Sequence, residues 1–306
     1  MNIIVVNPKK DFTPKQIAAL EAQGSLTFLE TQAAFEENRA LLSSGEDKVL
    51  ALGPEVIDYA FPNTLIDTLE NVKTVCIPTT GFSWLDGDYL KQKNIVLSNV
   101  PHYSTEAVSE FAISLMLNIA RKLPLLMKNN WKVDFDQHAG FDLRSRTVGI
   151  LGLGEIGTRI AELAKGFGMN VVYWSRSSRN KAFAYQEFDD VVAKSDFLFL
   201  SMAKNNETKS LLSNEKIDSM KQDAHIVSIM GDELFDFKYA AARVAEGKLA
   251  GIALDNDELT MSDYPGNIFI TPHVAWFTKE AMAEDMRIWT ESIVAAAKEK
   301  PINTVN

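Results

Sequence analysis

The feature that most constrains the fold is a glycine-rich turn between an apolar run and an amphipathic helical pattern. Gly152, Gly154 and Gly157 have the spacing G-x-G-x-x-G. In this context the first glycine permits a tight turn, the second lets a pyrophosphate approach the backbone, and the third allows close packing of helix on strand. The helix that starts at Ile156, with Glu155 before it, would offer N–H donors to phosphate. The pattern predicts a dinucleotide-binding βαβ unit, and a glycine turn that binds nothing stays open as the alternative.

Short apolar runs rich in β-formers alternate with longer helical patterns along the chain. We predict strands over residues 3–6, 49–52, 72–77, 96–98, 147–151, 170–174, 197–200, 226–229, 251–254 and 268–271. We predict helices over residues 14–22, 106–123, 156–166, 189–193, 214–219, 239–246 and 279–298. Such alternation is typical of an α/β fold with doubly wound parallel sheets. The length of 306 residues favours two domains.

Charge and cysteine content exclude several classes of protein. The formal net charge is −10, whereas a nucleic-acid surface needs a basic stripe. A single cysteine, Cys76, and four histidines leave no disulfide and no recognisable zinc-ligand spacing, so we expect no metal. The apolar stretch over 111–120 is too short to span a bilayer, and the N-terminus has no basic segment typical of a secretory signal. We therefore expect a cytoplasmic protein with a small-molecule partner.

The strand after the glycine-rich helix ends where the ribose of a dinucleotide would be recognised. An NAD site would place Asp or Glu near this point, and such a carboxylate would repel a 2′-phosphate. This chain instead has Ser175, followed by Arg176 and Arg179. A small neutral donor beside guanidinium groups favours NADP(H). The alternative is a solvated basic loop in a protein that uses NAD(H).

The helical pattern from Glu106 is apolar on most of its sides. Ser104 or Thr105 can cap its start, and Pro124 follows it. A helix that is apolar all round is buried in a core or an interface. A core helix between domains and a homodimer interface are therefore both open, and we expect a homodimer through this helix.

Several ordered segments resemble the D-isomer-specific 2-hydroxyacid dehydrogenases. They are the substrate-domain loop at Thr79-Thr80-Gly81-Phe82, the crossover at 99–108, the glycine-rich loop, and the late motifs at 251–255 and 271–276. The resemblance implies a Rossmann domain over 100–277, inserted into a flavodoxin-like substrate domain made of 1–99 and 278–306. The loop and the resemblance together imply cofactor binding by Gly152, Gly154, Glu155, Ile156, Gly157, Ser175, Arg176, Arg179, Thr105 and Asp255.

The resemblance also implies NAD(P)-dependent hydride transfer between a 2-hydroxy acid and a 2-oxo acid. His273 lies in the matching Pro-His motif, and an imidazole is a suitable acid and base because it titrates near neutrality. Glu258 stands where the family has the glutamate that holds this histidine. Asp255 would then lie near the nicotinamide carboxamide. Thr80, Gly81 and Trp276 are expected to contact the substrate.

One expected side chain is missing. Met230 stands where the family has the arginine that binds the substrate carboxylate and polarises its carbonyl. Loss of one such donor typically costs about 10²–10³ in rate. Three explanations are open. The substrate lacks a carboxylate at that point or uses another anchor, such as His102 or Lys204; the enzyme is weakly active; or the protein is a non-catalytic nucleotide-binding sensor or scaffold.

Overall fold

Two parallel β-sheets, each in its own compact unit, organise the chain. The computed structural model describes residues 1–43, 45–202 and 207–306. One unit comprises Met1–Tyr103 with Thr278–Asn306, and the other comprises Ser104–Phe277. The second unit is thus an insertion in the first.

The strands of the described residues are short and mostly buried. They are β1 (Asn2–Val6), β2 (Ser25–Phe28), β3 (Lys48–Leu52), β4 (Val72–Cys76), β5 (Val96–Ser98), β6 (Thr147–Leu151), β7 (Asn170–Trp174), β8 (Ala184–Tyr185), β9 (Phe197–Leu200), β10 (His225–Ser228), β11 (Gly251–Asp255) and β12 (Ile268–Thr271).

The α-helices of the described residues connect these strands. They are α1 (Pro14–Glu21), α2 (Gln32–Glu37), α3 (Asn63–Ile66), α4 (Gly87–Gln92), α5 (Thr105–Ala120), α6 (Leu123–Lys128), α7 (Phe135–His138), α8 (Glu155–Gly166), α9 (Phe188–Lys194), α10 (Asn214–Asp218), α11 (Phe237–Ala245) and α12 (Lys279–Ala297).

Both sheets are doubly wound, as predicted. The first has the order β2-β1-β3-β4-β5 and the second the order β12-β11-β10-β9-β6-β7-β8, with parallel pairs throughout. Alternate residues of a strand point to opposite faces. Accordingly Ile3 and Val5 lie in one apolar cluster of the first unit, while Ile4 and Val6 lie in the other. Each sheet therefore has a core on both faces, which explains its continuous apolar strands.

Helix α5 belongs to the core of the second unit. It packs on α8 and on strands β10, β11 and β12, and its residues Ala112, Leu115 and Met116 are buried there. Glu106, Glu110 and Ser114 remain exposed on its outer side. The apolar pattern is thus explained largely by packing within one unit.

Several short elements were not predicted from the sequence. Strand β2 alternates exposed and half-buried residues at the edge of its sheet, and β8 contains two residues. The helical pattern over 106–123 is divided because Arg121 and Lys122 leave the helix, with Lys122 at φ 52°. A left-handed residue cannot continue an α-helix, so α6 begins in a new direction at Leu123.

Candidate functional site

The three glycines of the phosphate-loop motif follow β6 and occupy different environments. Gly152 has φ 97°, and a Cβ there would lie 2.9 Å from the backbone nitrogen of Met202. A Cβ on Gly157 would collide with the carbonyl oxygen of Gly152. A Cβ on Gly154 would meet nothing within 4 Å. Two glycines are therefore needed for packing, and the third, Gly154, borders open space.

Helix α8 begins directly at this loop. Its N-cap is Gly154, which has extended backbone and provides no side-chain cap. The first N–H groups of an α-helix have no partner within the helix, so those at Glu155 and Ile156 can bind an anion. The hydroxyl of Thr105 donates to the carboxylate of Glu155 over 3.4 Å. This bond joins the start of α5 to the start of α8, and it brings two of the predicted cofactor residues together.

The predicted ribose-binding residues follow β7. Ser175 is buried, and its carbonyl accepts a hydrogen bond of 2.8 Å from Arg179. The guanidinium of Arg179 lies over the ring of Tyr185, 4.1 Å from its centroid. The guanidinium of Arg176 is exposed and forms an ion pair with Glu207. Arg179 is thus held against its own loop, while Arg176 reaches into solvent beside a carboxylate that a phosphate would have to replace.

His273 lies two residues beyond β12 and is held by a buried aspartate. Its Nδ1 is 3.3 Å from the Oδ2 of Asp255, the last residue of β11. Asp255 also accepts backbone N–H groups from Val274 at 3.2 Å and Ala275 at 3.4 Å. The hydrogen bond to Asp255 raises the pKa of the imidazole above its ordinary value, against the opposing effect of burial. The histidine side chain is 59% exposed and that of Asp255 is 0% exposed, so Nε2 is available to a substrate.

His273 was predicted to pair with Glu258, and in this structure its imidazole lies against Asp255. The backbone N–H of Glu258 donates to Asn256 over 2.8 Å, and the side chain of Glu258 is exposed. Its neighbour Asp257 accepts the backbone N–H of His273 over 2.8 Å. The turn after β11 therefore presents Asp255 to the imidazole and Asp257 to the backbone, and it leaves Glu258 in solvent. In this structure Asp255 makes the contact with the histidine that the sequence pattern predicts for Glu258.

Met230 lies in the turn after β10. Its backbone N–H donates to the hydroxyl of Ser228 over 3.3 Å, and the same hydroxyl donates to the carbonyl of Gly231 over 2.6 Å. Gly231 has φ 65°, which favours glycine. The side chain of Met230 is half-buried and packs against the apolar clusters on both faces of the sheet. It therefore adds neither charge nor a hydrogen-bond donor to the end of β10.

The predicted substrate loop of the first unit follows β4. The hydroxyl of Thr80 donates to the carbonyl of Val100 over 2.7 Å, and Asn99 donates to the carbonyl of Thr80 over 2.8 Å. The hydroxyl of Thr79 donates to the carbonyl of Gly81 over 2.7 Å. A Cβ on Gly81 would meet nothing within 4 Å. The loop is thus fastened on one side and open at Gly81.

Three further residues were predicted to contact or anchor the substrate. Trp276 is half-buried, packs against the core of the second unit, and lies edge-on to Phe277 with 5.3 Å between the ring centroids. His102 has φ 65°. Lys204 lies outside the described residues.

Metal sites and membrane spans were both expected to be absent. Within residues 1–43, 45–202 and 207–306, no group of three or more His, Cys, Asp or Glu side chains is arranged to hold a metal ion. Over the same ranges, no helix combines the length and the apolar character that crossing a membrane requires.

The contacts of Asp255 and Asp257 with the histidine were not predicted from the sequence. The signal that could have revealed them is the adjacency of parallel strand ends. β11 and β12 are paired, with Asp255 opposite Thr271. Residues that follow Thr271 must therefore pass over Asp255.

Comparison with known proteins identifies the family. Residues 113–275 match the family model described as D-isomer specific 2-hydroxyacid dehydrogenase, NAD binding domain. A D-specific alpha-keto acid dehydrogenase of Enterococcus faecium is 30% identical over 234 residues, which are 70% of this chain and 72% of the relative. A glyoxylate reductase of Aeropyrum pernix is 29% identical over 263 residues, covering 79% of this chain and 78% of the relative. A solved structure described as an acyclic imino acid reductase in complex with NADPH and D-Arg has a TM-score of 0.83 and 23% identity over 100% of both chains, which shows the shared fold. The chain belongs to the D-isomer specific 2-hydroxyacid dehydrogenase family of enzymes.

Proposed function

We propose that this enzyme transfers a hydride between NADP(H) and a small 2-oxo or 2-hydroxy acid, or a related carbonyl compound. The observation that carries the proposal is the pair formed by His273 and Asp255 at the end of β11, in the same unit as the open glycine loop. An exposed imidazole held by a buried carboxylate is the arrangement that general acid–base catalysis requires. The names of the relatives, glyoxylate reductase and D-specific alpha-keto acid dehydrogenase, agree with this chemistry.

The residues present fit a nicotinamide dinucleotide. Gly154 leaves room for a pyrophosphate, and the start of α8 supplies N–H donors to it. Ser175 follows β7 and puts no carboxylate at the ribose position, and Arg176 is exposed nearby in sequence. We propose that Arg176 exchanges its partner Glu207 for a 2′-phosphate. The bound nicotinamide would supply or accept the hydride.

We assign to His273 the transfer of the proton that accompanies the hydride. Its raised pKa keeps more of the imidazole charged near neutrality, so Nε2–H can donate to the oxygen of a reduced carbonyl. Asp255 fixes Nδ1 as the other donor and thereby directs Nε2 outward. We assign this positioning to Asp255 and give Glu258 a secondary part, as a solvent-exposed charge in the same turn.

We assign the binding of the substrate carboxylate to backbone N–H donors. We propose that N–H groups at Thr80 and Gly81 bind the carboxylate, with Trp276 contacting the rest of the substrate. Met230 cannot bind a carboxylate, and removing one positioned donor costs about 10²–10³ in rate. We therefore expect slow turnover of simple 2-oxo acids.

The test is NADPH oxidation, followed at its absorbance, with glyoxylate, hydroxypyruvate, pyruvate and phenylpyruvate. Turnover that falls at least about 100-fold in His273→Gln supports the assignment. The variant Met230→Arg should raise the rate on at least one 2-oxo acid, with Met230→Lys as a matched control that adds charge without the planar fork. No turnover on the panel in either the wild type or Met230→Arg would refute the proposal.

The nucleotide preference is tested by binding. Trp174 is the last residue of β7 and is half-buried, so its fluorescence should report occupancy at the adjacent Ser175. We expect NADPH to bind more tightly than NADH, and Ser175→Asp to reverse the order. Tighter binding of NADH by the wild type would show that the loop with Arg176 is only a solvated basic loop.

A non-catalytic nucleotide-binding sensor or scaffold is the second candidate. The half-buried thioether of Met230 favours it, because this side chain provides no polar contact to a substrate. Nucleotide binding with no turnover across the panel would support this candidate.

We also propose a homodimer and a cytoplasmic location. Helix α5 is largely covered within its own unit, but the segment that follows α6 exposes Trp131 by 63%, Val133 by 60% and Phe135 by 87%. Apolar side chains this exposed in one segment are typical of an interface. The dimer surface would thus run from α5 to Phe135. Sedimentation should show a dimer that Phe135→Asp weakens.

The single buried Cys76 fits a reducing compartment, and fractionation of cells tests the location.

A further inference from the structure

The end of the second sheet that carries His273 has a strongly one-sided charge. The segments that follow β10, β11 and β12, residues 229–236, 256–267 and 272–278, contain neither lysine nor arginine. Acidic side chains in these segments and at the end of β11 are Asp232, Glu233, Asp236, Asp255, Asp257, Glu258 and Asp263. Arg176 and Arg179 come instead after β7. In the sheet order β7 is separated from β10 by β6 and β9.

The carboxylates closest to His273 are fixed in place by the fold. Asp255 lies 3.3 Å from Nδ1, and Asp257 accepts the backbone N–H at 2.8 Å. The charged groups that act on this imidazole are Asp255 and Asp257. Met230, at the end of the neighbouring strand β10, contributes only a thioether. Within the described part of this unit, the surroundings of the imidazole are therefore anionic.

This charge favours one kind of hydride acceptor over another. Reduction of a carbonyl builds negative charge on oxygen, and nearby carboxylates oppose that charge. A protonated imine starts with a positive charge on nitrogen and becomes a neutral amine. Carboxylates at short range stabilise its bound form, and no oxyanion forms that would need a guanidinium.

We infer that the preferred substrate of this site is the iminium form of a 2-oxo acid, that is, a protonated 2-imino acid. The inference rests on the proposed hydride transfer and names its substrate class. The carboxylates of Asp255 and Asp257 would favour the cationic nitrogen.

The step balances without a proton donor. A hydride leaves C4 of the reduced nicotinamide with its electron pair and forms the new C–H bond at the iminium carbon. The π pair of the C=N bond becomes the lone pair of the amine nitrogen. The nicotinamide is oxidised and the imine is reduced, and the amine then takes its proton from solvent. In this reaction Nε2 of the uncharged imidazole of His273 would accept a hydrogen bond from the iminium N–H, while Nδ1–H donates to Asp255.

The experiment compares one 2-oxo acid with and without an amine that condenses with it. Wild-type enzyme, NADPH and pyruvate are mixed with methylamine, with ammonium, or with trimethylamine at equal ionic strength. Trimethylamine carries the same charge but cannot form an imine. We expect methylamine or ammonium to raise NADPH oxidation at least about tenfold over trimethylamine, and mass spectrometry to find N-methylalanine or alanine in place of lactate.

Two further measurements locate the effect. Calorimetry on the NADP⁺-saturated protein should show tighter binding of N-methylalanine than of lactate. Asp257→Asn keeps an acceptor for the N–H of His273 but removes the charge, and should lower kcat/KM of the amine-dependent reaction roughly two- to fivefold, as expected for an exposed charge. The matched control is Asp223→Asn, which should leave the reaction unchanged. Residue 223 precedes the N-terminal end of β10, whereas the segment with Met230 follows its C-terminal end.

The outcomes separate this inference from the proposed function. Reduction of pyruvate to lactate at a rate that methylamine does not alter overturns the inference and leaves the proposed function standing. Absence of NADPH oxidation with every carbonyl compound and amine overturns both.

Discussion

Substitution of Asp255 by asparagine tests the assignment of the catalytic pair most directly. Asparagine has nearly the same shape and can keep an oxygen for the N–H of Val274, which donates to Oδ1, whereas Oδ2 accepts the N–H of Ala275 and is lost. It removes the negative charge at 3.3 Å from Nδ1 of His273 and can place an N–H donor there instead. The charged imidazole then loses its buried counter-ion, and the tautomer that holds Nδ1–H is no longer favoured.

The expected loss follows from the geometry. A positioned general acid contributes about 10²–10⁴ to rate. The side chain of His273 is 59% exposed, so water partly compensates for the lost carboxylate, and the lower end of that range applies. We expect Asp255→Asn to lower kcat for reduction of a 2-oxo acid by about 100-fold, with a much smaller change in KM.

The pH profile gives the sign of the effect. Asp255 raises the pKa of His273, so in the wild type the protonated imidazole persists above its ordinary pKa. Reduction of a carbonyl requires that form, and its rate falls as the pH rises through this pKa. In Asp255→Asn the fall should begin at a lower pH, because the cause of the raised pKa has been removed.

The assay is steady-state NADPH oxidation from pH 5 to 9 with the most rapidly reduced acid of the panel. Glu258→Gln should lose at least about tenfold less activity than Asp255→Asn, and Asp263→Asn serves as a matched control in the same segment. Circular dichroism and thermal unfolding verify that each variant is folded. An unchanged pH profile in Asp255→Asn, or an equal loss in Glu258→Gln, would refute the assignment.

The remaining predictions concern nucleotide binding and stability. Gly154→Ala should fold normally yet bind NADPH more weakly, which calorimetry measures. Gly157→Ala should lower the melting temperature, because its Cβ meets the carbonyl of Gly152. Equal melting temperatures of the two variants in thermal unfolding would contradict the packing argument. Burial lowers the pKa of His225 to about 4, so the unfolded state binds more protons between pH 6.5 and 4 and folding should weaken by about 3 kcal/mol at pH 4. Urea unfolding of His225→Phe should show a smaller dependence on pH over this range. Burial and the charge of a neighbouring glutamate raise the pKa of Asp285 to about 8, so folding should weaken as the pH rises from 4 to 8. At pH 8 the free energy of unfolding of Asp285→Asn should exceed that of the wild type by roughly 1–3 kcal/mol. A lower free energy of unfolding in this variant would contradict the burial argument.

The larger elements could be predicted because several local signals agree. Helix α12 follows Thr278, whose hydroxyl accepts the N–H of Ala281 over 3.1 Å, as a capping residue before an apolar pattern should. Strand β6 has no polar residue after Thr147 and is followed by the glycine turn, so both its type and its position could be predicted. Strand β2 has no such agreement. Its alternate residues are exposed, and the strand exists because Leu26 and Phe28 pair with β1.

The proposed catalytic pair, His273 and Asp255, shows which information sequence spacing lacks. The resemblance assigns a glutamate by counting along the chain, and this count leads to Glu258. The contact made by His273 depends instead on the register of two strands. Asn256 donates its N–H to the carbonyl of Thr271 over 2.8 Å, which places the end of β11 beneath the residues that follow β12. Asp255 is buried at that point, and its carboxylate has three donors above it. Because the register is fixed by pairing across the whole sheet, the partner of the imidazole follows from the fold and not from local spacing.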